Sequence, residues 1–188
     1  METIRKYKWN EVVWKDLNIG DSVQLPEFTV SETTIKGNKE LYFEEQTVKD
    51  TATVYNIKDG KVYLVFDHAL FKSAIDLNNA TEWKRTQLHD YLSGAFRNSM
   101  KDVDIPALEV SLFSKDDVFG ENAFPFFKNG RNRIVFMDDE ECVTCYWLKD
   151  TTATAYFYYG SSFGYASHGY ASSANLYVRP CLIVKKEE

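Results

Sequence analysis

The chain is poor in cysteine, has no basic excess and contains no long apolar run. Its three cysteines, Cys142, Cys145 and Cys181, are odd in number in 188 residues, which argues against a disulfide framework and for buried thiols in a reducing compartment. No stretch approaches the roughly 18 to 20 apolar residues of a membrane-spanning helix, so membrane insertion is not expected. Lys and Arg number 22 against 28 Asp and Glu, a formal charge of -6, and the basic residues are scattered. Nonspecific nucleic-acid binding draws its energy from cations that neutralise phosphates, so nucleic acid is not an expected partner. The segment Met1 to Tyr7 lacks the apolar core and small-residue cleavage site of a secretory leader; cytosolic synthesis and folding are expected, with export by another route left open.

What is present is enough to bury a core without staples: 44% hydrophobic residues, 15% of the chain aromatic. Residues 1–50 read as N-terminal strands and a hairpin of the same unit as residues 51–188, and the class is α+β. A Gly20-Asp21 turn separates an opening segment around Trp9 to Leu17 from a strand at Ser22 to Pro26. Residues 28–43 alternate around the polar centre Lys36-Gly37-Asn38-Lys39, as a hairpin would. The β-rich runs 52–57 and 61–66 flank Lys58-Asp59-Gly60, a second hairpin. Leu88, Tyr91, Leu92, Ala95 and Phe96 fall on one face of a helix, with Thr81 or Thr86 as its cap. Ser114-Lys115-Asp116-Asp117 is a capping box for a shorter helix that Gly120 ends. Residues 124–132 read as loop and turn, and 133–136 as a strand. The acidic run Asp138 to Glu141 lacks the spacing of a calcium loop, so a solvated turn without metal is expected.

Residues 151–178 stand apart. Flanked by Tyr146-Trp147-Leu148-Lys149-Asp150 and Arg179-Pro180-Cys181-Leu182-Ile183-Val184, the stretch carries no charged side chain, and eight of its residues are Tyr or Phe. Tyr, Ser, Gly and Ala dominate, the vocabulary of antibody binding loops, where rigid amphipathic rings give contact area and small polar residues give adaptable hydrogen bonds. Gly164-Tyr165-Ala166-Ser167-His168 is echoed by Gly169-Tyr170-Ala171-Ser172-Ser173, and glycines five apart favour turns and short strands over helix. The expected ligand-binding residues are Tyr156, Tyr158, Tyr159, Ser161, Ser162, Phe163, Tyr165, Ser167, His168, Tyr170, Ser172 and Ser173. Because strand side chains alternate, about half of the aromatics should be core. Trp147 and Leu148 on one side and Leu182, Ile183 and Val184 on the other are expected in paired core strands that hold both ends.

The Trp147-Leu148-Lys149 frame, the strand ahead of Gly160 and the exit Val178-Arg179-Pro180 resemble the C-terminal part of a family of bacterial and phage domains with a C-type-lectin-like fold. The opening at 16–21, the hairpin at Asp59-Gly60, the helix at 88–96 and the segment 112–120 are similar too, so the resemblance spans most of the chain. Lys149 and Tyr177 depart from the usual arginine and glycine. The resemblance implies short antiparallel sheets, one or two helices, long irregular C-terminal loops, and a binding face for a protein or glycan on a target surface. No catalytic residue, metal or cofactor is expected, an oligomer is possible, and the resemblance places the protein on a phage virion or bacterial surface. Variable proteins of diversity-generating retroelements share the fold, and adenine mutagenesis of AAC or AAT codons never yields Trp, Gln, Met, Lys or Glu. Residues 150–184 contain none of these.

Other chemistry is weighed against this reading. Cys142-Val143-Thr144-Cys145 has CxxC spacing, but neither a second ligand pair nor a following helix is visible, so Cys145 and Cys181 are expected as buried thiols on neighbouring strands. A cysteine-dependent oxidase of formylglycine-generating type, which shares the fold class, would use those two residues; the tract between them lacks the charged groups such chemistry needs. Ser167 and His168 are adjacent and do not make a triad. His68 and His89 are read as packing or surface residues. A third reading, an adhesive low-complexity tract, is countered by the strongly patterned flanks.

Overall fold

The computed structural model describes residues 5–137 and 142–185. Its strands are β1 (Lys6–Lys8), β2 (Ser22–Gln24), β3 (Phe28–Val30), β4 (Thr33–Ile35), β5 (Leu41–Phe43), β6 (Gln46–Val48), β7 (Thr51–Lys58), β8 (Lys61–Phe66), β9 (His68–Ala69), β10 (Phe71–Lys72), β11 (Ala107–Ser111), β12 (Val135–Met137), β13 (Val143–Thr144), β14 (Tyr146–Ala153), β15 (Tyr156–Gly160), β16 (Ala166–Tyr170), β17 (Tyr177–Val178) and β18 (Cys181–Lys185). The helices are α1 (Gln87–Tyr91), α2 (Arg97–Lys101), α3 (Lys115–Phe119) and α4 (Pro125–Lys128). The class is α+β, mostly strand.

A six-stranded sheet runs β1-β2-β7-β8-β18-β11 and a five-stranded sheet β10-β17-β14-β15-β16. The sheets are not wholly antiparallel: β1 with β2, β9 with β12 and β14 with β17 pair in parallel. The β1–β2 crossover is filled by two short 3-10 turns, Trp9–Glu11 and Trp14–Asp16, whose indoles meet edge to face at 5.0 Å. In the β7–β8 hairpin Asp59 and Gly60 have φ of 51° and 67°, the pair of positive angles whose twist matches that of the flanking strands.

Alternation along β8 sends Val62, Leu64 and Phe66 to one core and Val65 to another, the period-2 pattern of a strand buried on both faces. On the first side lies a continuous helical run: α1, a π-helical stretch Leu92–Phe96, and α2. Leu88, Tyr91, Leu92, Phe96 and Met100 are buried on it, and Phe43 stacks on Tyr91 at 3.8 Å. Thr86 caps the run, its hydroxyl oxygen accepting from the His89 amide at 3.1 Å. On the other side Tyr55, Phe113, Phe127, Tyr146 and Leu148 pack around Val65 and Cys181.

Several expectations need correction. Only β4 and β5 form the hairpin within 28–43, while β3 pairs with β6 beyond it. Residues 125–128 are a helical turn rather than loop, because Pro125 stands at the first helical position, where its fixed φ and missing N–H suit the backbone. The strand expected at 133–136 is β12, preceded by a 3-10 turn at Gly130–Arg133. Trp147 and Leu148 lie on β14 and Leu182 to Val184 on β18, in different sheets, so the two ends share a core but no ladder. The run 138–141 falls outside the described residues. Among the described residues no helix is long and apolar enough to cross a membrane.

Candidate functional site

The charge-free stretch is built mainly of strand rather than long irregular loop. Its start is fixed by Trp147, buried on β14, whose indole N–H donates to the Ser73 carbonyl at 2.8 Å. Its far end is fixed by the carbonyls of Ala171 and Leu176, which accept from the amides of Ile75 and Ser73 at 2.8 and 3.1 Å. Both anchors therefore lead to one segment, 73–76, directly after β10. Between them β15 and β16 form a hairpin in register Tyr156↔Tyr170, Phe157↔Gly169, Tyr158↔His168, Tyr159↔Ser167 and Gly160↔Ala166.

Alternation then separates two faces. Phe157 is fully buried, and Tyr159 packs edge to face on Trp147 at 6.3 Å. Gly160 belongs to the other face, which packs on the second core at this end: it lies opposite Tyr146, and a Cβ there would stand 2.5 Å from the Tyr146 Cζ. The same face holds Tyr156, Tyr158, His168 and Tyr170; Tyr158 is half-buried against the second core, and His168 and Tyr170 are exposed. Tyr156 and Tyr170 lie 4.4 Å apart, His168 is 6.1 Å from Tyr156 and 6.5 Å from Tyr158, and the Lys115 ammonium sits 4.8 Å from the Tyr158 ring centre. Hydrogen bonding to the neighbouring Tyr170 hydroxyl raises the Tyr156 phenol above its ordinary pKa, so Tyr156 keeps its proton near neutral pH.

At the hairpin tip Ser161 is 4% exposed and acts as a turn former. Its hydroxyl accepts from the amides of Phe163 and Tyr165 at 3.3 and 3.4 Å, and its amide donates to the Tyr165 carbonyl at 2.8 Å. That scaffold lifts Phe163 and Tyr165 outward as parallel rings 6.3 Å apart, 80% and 56% exposed. Of the expected binding residues, the fold thus brings Tyr156, Tyr158, His168 and Tyr170 onto one face, with Phe163 and Tyr165 at its end. Tyr159 and Ser161 turn inward and Ser167 lies opposite Tyr159, away from this face. Ser162 is half-buried in the tip, and Ser172 (exposed) and Ser173 follow β16 in a turn closed by the Ser173 amide on the Tyr170 carbonyl at 2.9 Å.

β16 is the last strand of its sheet. The bonds from Ser161 to Tyr165 and from Ala171 to Ala155 fix which pairs exchange bonds, so the amides and carbonyls of Ala166 and His168 point away from β15. They add main-chain donors and acceptors to the rim of the aromatic face. Lys115 and this rim carry no signal in the sequence, because one comes from α3 and the other from sheet order.

The cysteines do not form the expected pair of buried neighbours. Cys142 is exposed, Cys145 half-buried and Cys181 buried; Cys145 precedes β14 and Cys181 opens β18 in the other sheet. The Cys181 thiol donates to the Ser111 carbonyl at 3.4 Å, and burial pushes it up to about 12, the opposite of the lowered value that makes a reactive thiolate. Among the described residues no cluster of three or more His, Cys, Asp or Glu could hold a metal. His68 is more than packing: its Nδ1 lies 2.6 Å from the buried Asp50 carboxylate, whose pKa burial raises. No family model, curated protein or solved structure matches this chain.

Proposed function

We propose that the protein is a recognition module that holds a protein or glycan surface against the outer face of the β15–β16 hairpin, on a C-type-lectin-like scaffold. The observation that carries the reading is the alignment of Tyr156, Tyr158, His168 and Tyr170 on one face that ends in the exposed rings of Phe163 and Tyr165. Exposed aromatics of this kind supply contact area at low rotamer cost, and they cluster at the energetic centres of interfaces. The division of labour within the hairpin supports a face that varies over a constant body: Phe157, Tyr159, Gly160 and Ser161 serve the core and the turn, while His168, Tyr170, Phe163 and Tyr165 are exposed. Diversification of the outer positions by a retroelement belongs to this proposal, as does display on a virion or bacterial surface. Binding rather than catalysis is favoured by the protonated, buried Cys181 thiol.

The test is to probe protein and glycan arrays with the purified chain and repeat with Tyr165→Ala combined with Tyr170→Ala. Both rings are exposed, so the double variant should melt at nearly the native temperature and lose the array signals. A double variant that unfolds, or that keeps every signal, would refute the proposal. For diversification the gene itself is informative: a near-copy of the 156–173 coding segment beside a reverse transcriptase is expected.

A further inference from the structure

Away from the hairpin, a cavity of about 700 Å³ opens between the β1–β2–β7 side of the larger sheet and the 125–134 segment. That volume suits a small molecule. One wall is Arg179, a side chain only 4% exposed. Its Nε donates to the Phe66 carbonyl at 3.0 Å and its Nη1 to the Asn132 carbonyl at 3.2 Å, and the guanidinium carbon lies 5.6 Å from the Tyr146 ring centre. All of these partners are neutral. Among the described residues no carboxylate lies within ion-pair distance of Arg179. A buried charge is normally paired, because removing it from water is expensive.

The one acid among the described residues that line the cavity does not fill this role. Asp67 is held instead by two threonines of β7, its carboxylate oxygens accepting from the Thr51 hydroxyl and from the Thr53 hydroxyl at 2.6 Å. Two further cations, Lys6 and Arg131, line the same cavity. Among the described residues that line the cavity, three positive groups therefore face one carboxylate, in a chain whose overall charge is -6. The local field is opposite in sign to that of the molecule, which is what an anion-binding site requires. Beside the cations stand the Phe126 ring and the Asn129 amide, together with free lone pairs on Asp67 that can accept from hydroxyl groups.

We propose that this cavity binds a small hydroxylated molecule bearing a carboxylate or phosphate group. The oxyanion lies against Arg179 and Arg131, where a planar guanidinium offers paired donors, and Asp67 accepts from a hydroxyl of the same molecule. The site shares no residue with the hairpin face and does not rest on the function proposed for it.

Isothermal titration with glucose 6-phosphate, glucuronate, glucose and inorganic phosphate tests the assignment. One or both of the anionic sugars should bind, which also tells phosphate from carboxylate; glucose should not, and inorganic phosphate should bind at least tenfold more weakly than the anionic sugar. Lys6 and Arg131 are exposed, so Arg131→Glu and Lys6→Glu should fold normally and weaken binding at least tenfold. The Tyr165→Ala, Tyr170→Ala variant should bind the anionic sugar like the native protein. Failure of both anionic sugars to bind, equal binding of glucose, or native affinity in folded Arg131→Glu would overturn the proposal. Phosphate binding as tightly as the sugar phosphate would also overturn it, reducing the cavity to an ion site.

Discussion

Tyr156 and Tyr170 face each other across the β15–β16 ladder with ring centres 4.4 Å apart, while Phe157, the residue next to Tyr156, is fully buried. One step along the strand separates a ring that touches only its cross-strand partners from a ring that the core closes over. The two positions should therefore answer very differently to truncation.

Tyr156→Ala is expected to cost about 0.5–1.5 kcal/mol, the worth of an aromatic pair. Phe157→Ala is expected to cost about 3–5 kcal/mol, since it leaves a cavity. Urea denaturation of the two variants measures both, and equal losses would contradict the assignment of faces.

Gly160→Ala places a methyl carbon 2.5 Å from Cζ and 2.7 Å from Cε1 of Tyr146. Tyr146 cannot retreat easily, being fully buried with its hydroxyl donating to the Arg133 carbonyl at 2.8 Å. A loss of roughly 1–3 kcal/mol is expected from overpacking. Gly169→Ala, where the nearest atom is Cε1 of Tyr159 at 3.5 Å, should be far milder. Thermal melts of the two variants side by side give the comparison.

Stability should fall in alkali. Burial raises the Cys181 thiol from 9.0 to about 12 and the Tyr91 phenol from 10.0 to about 12, the latter in spite of the Gln46 amide bonded to it at 2.6 Å. In the unfolded chain both groups release their protons earlier, so between pH 9 and 12 the folded chain holds more protons than the unfolded one. These groups then contribute their full stability below pH 9 and lose it as pH rises through that window. Urea midpoints measured from pH 8 upward should decline, and Cys181→Ala should flatten the beginning of the decline.

Thr86→Ala removes the acceptor for the His89 amide at the start of α1. A cost of about 1 kcal/mol is expected from the lost cap, measured by the same denaturation, whereas the exposed Thr81, which makes no cap, should tolerate alanine within about 0.5 kcal/mol.

The parts of the fold legible in the sequence are those set by near neighbours. The helix face of Leu88, Tyr91, Leu92 and Phe96, the Ser114 capping box and the Asp59-Gly60 turn depend on residues within a few positions of one another. Pairings between distant segments left no local trace: β18 lies between β8 and β11, and β1 is parallel to β2. Composition singled out the display stretch, yet it could not say which tyrosines face outward, because a one-residue change of register exchanges the faces. Tyr159 and Ser161 were read as ligand contacts on residue type alone, and the ladder and the turn claim them instead. The Arg179 cavity was invisible for a related reason: Lys6, Asp67, Arg131 and Arg179 meet only once two sheets and a helical turn are assembled.

The position of β16 at the end of its sheet has a colloidal consequence. Folded proteins commonly guard such a margin with lysine, proline or a bulge. β16 reads Ala166-Ser167-His168-Gly169-Tyr170, and its ladder to β15 runs without a register shift. Pairing two copies antiparallel about His168 would set the small Ala166 of each opposite the bulky Tyr170 of the other. An unguarded margin of this kind invites the protein's own copy, and because the join is two-fold it closes: concentrated solutions should form sheet-extended dimers unless a ligand or a lysine at position 168 blocks the join.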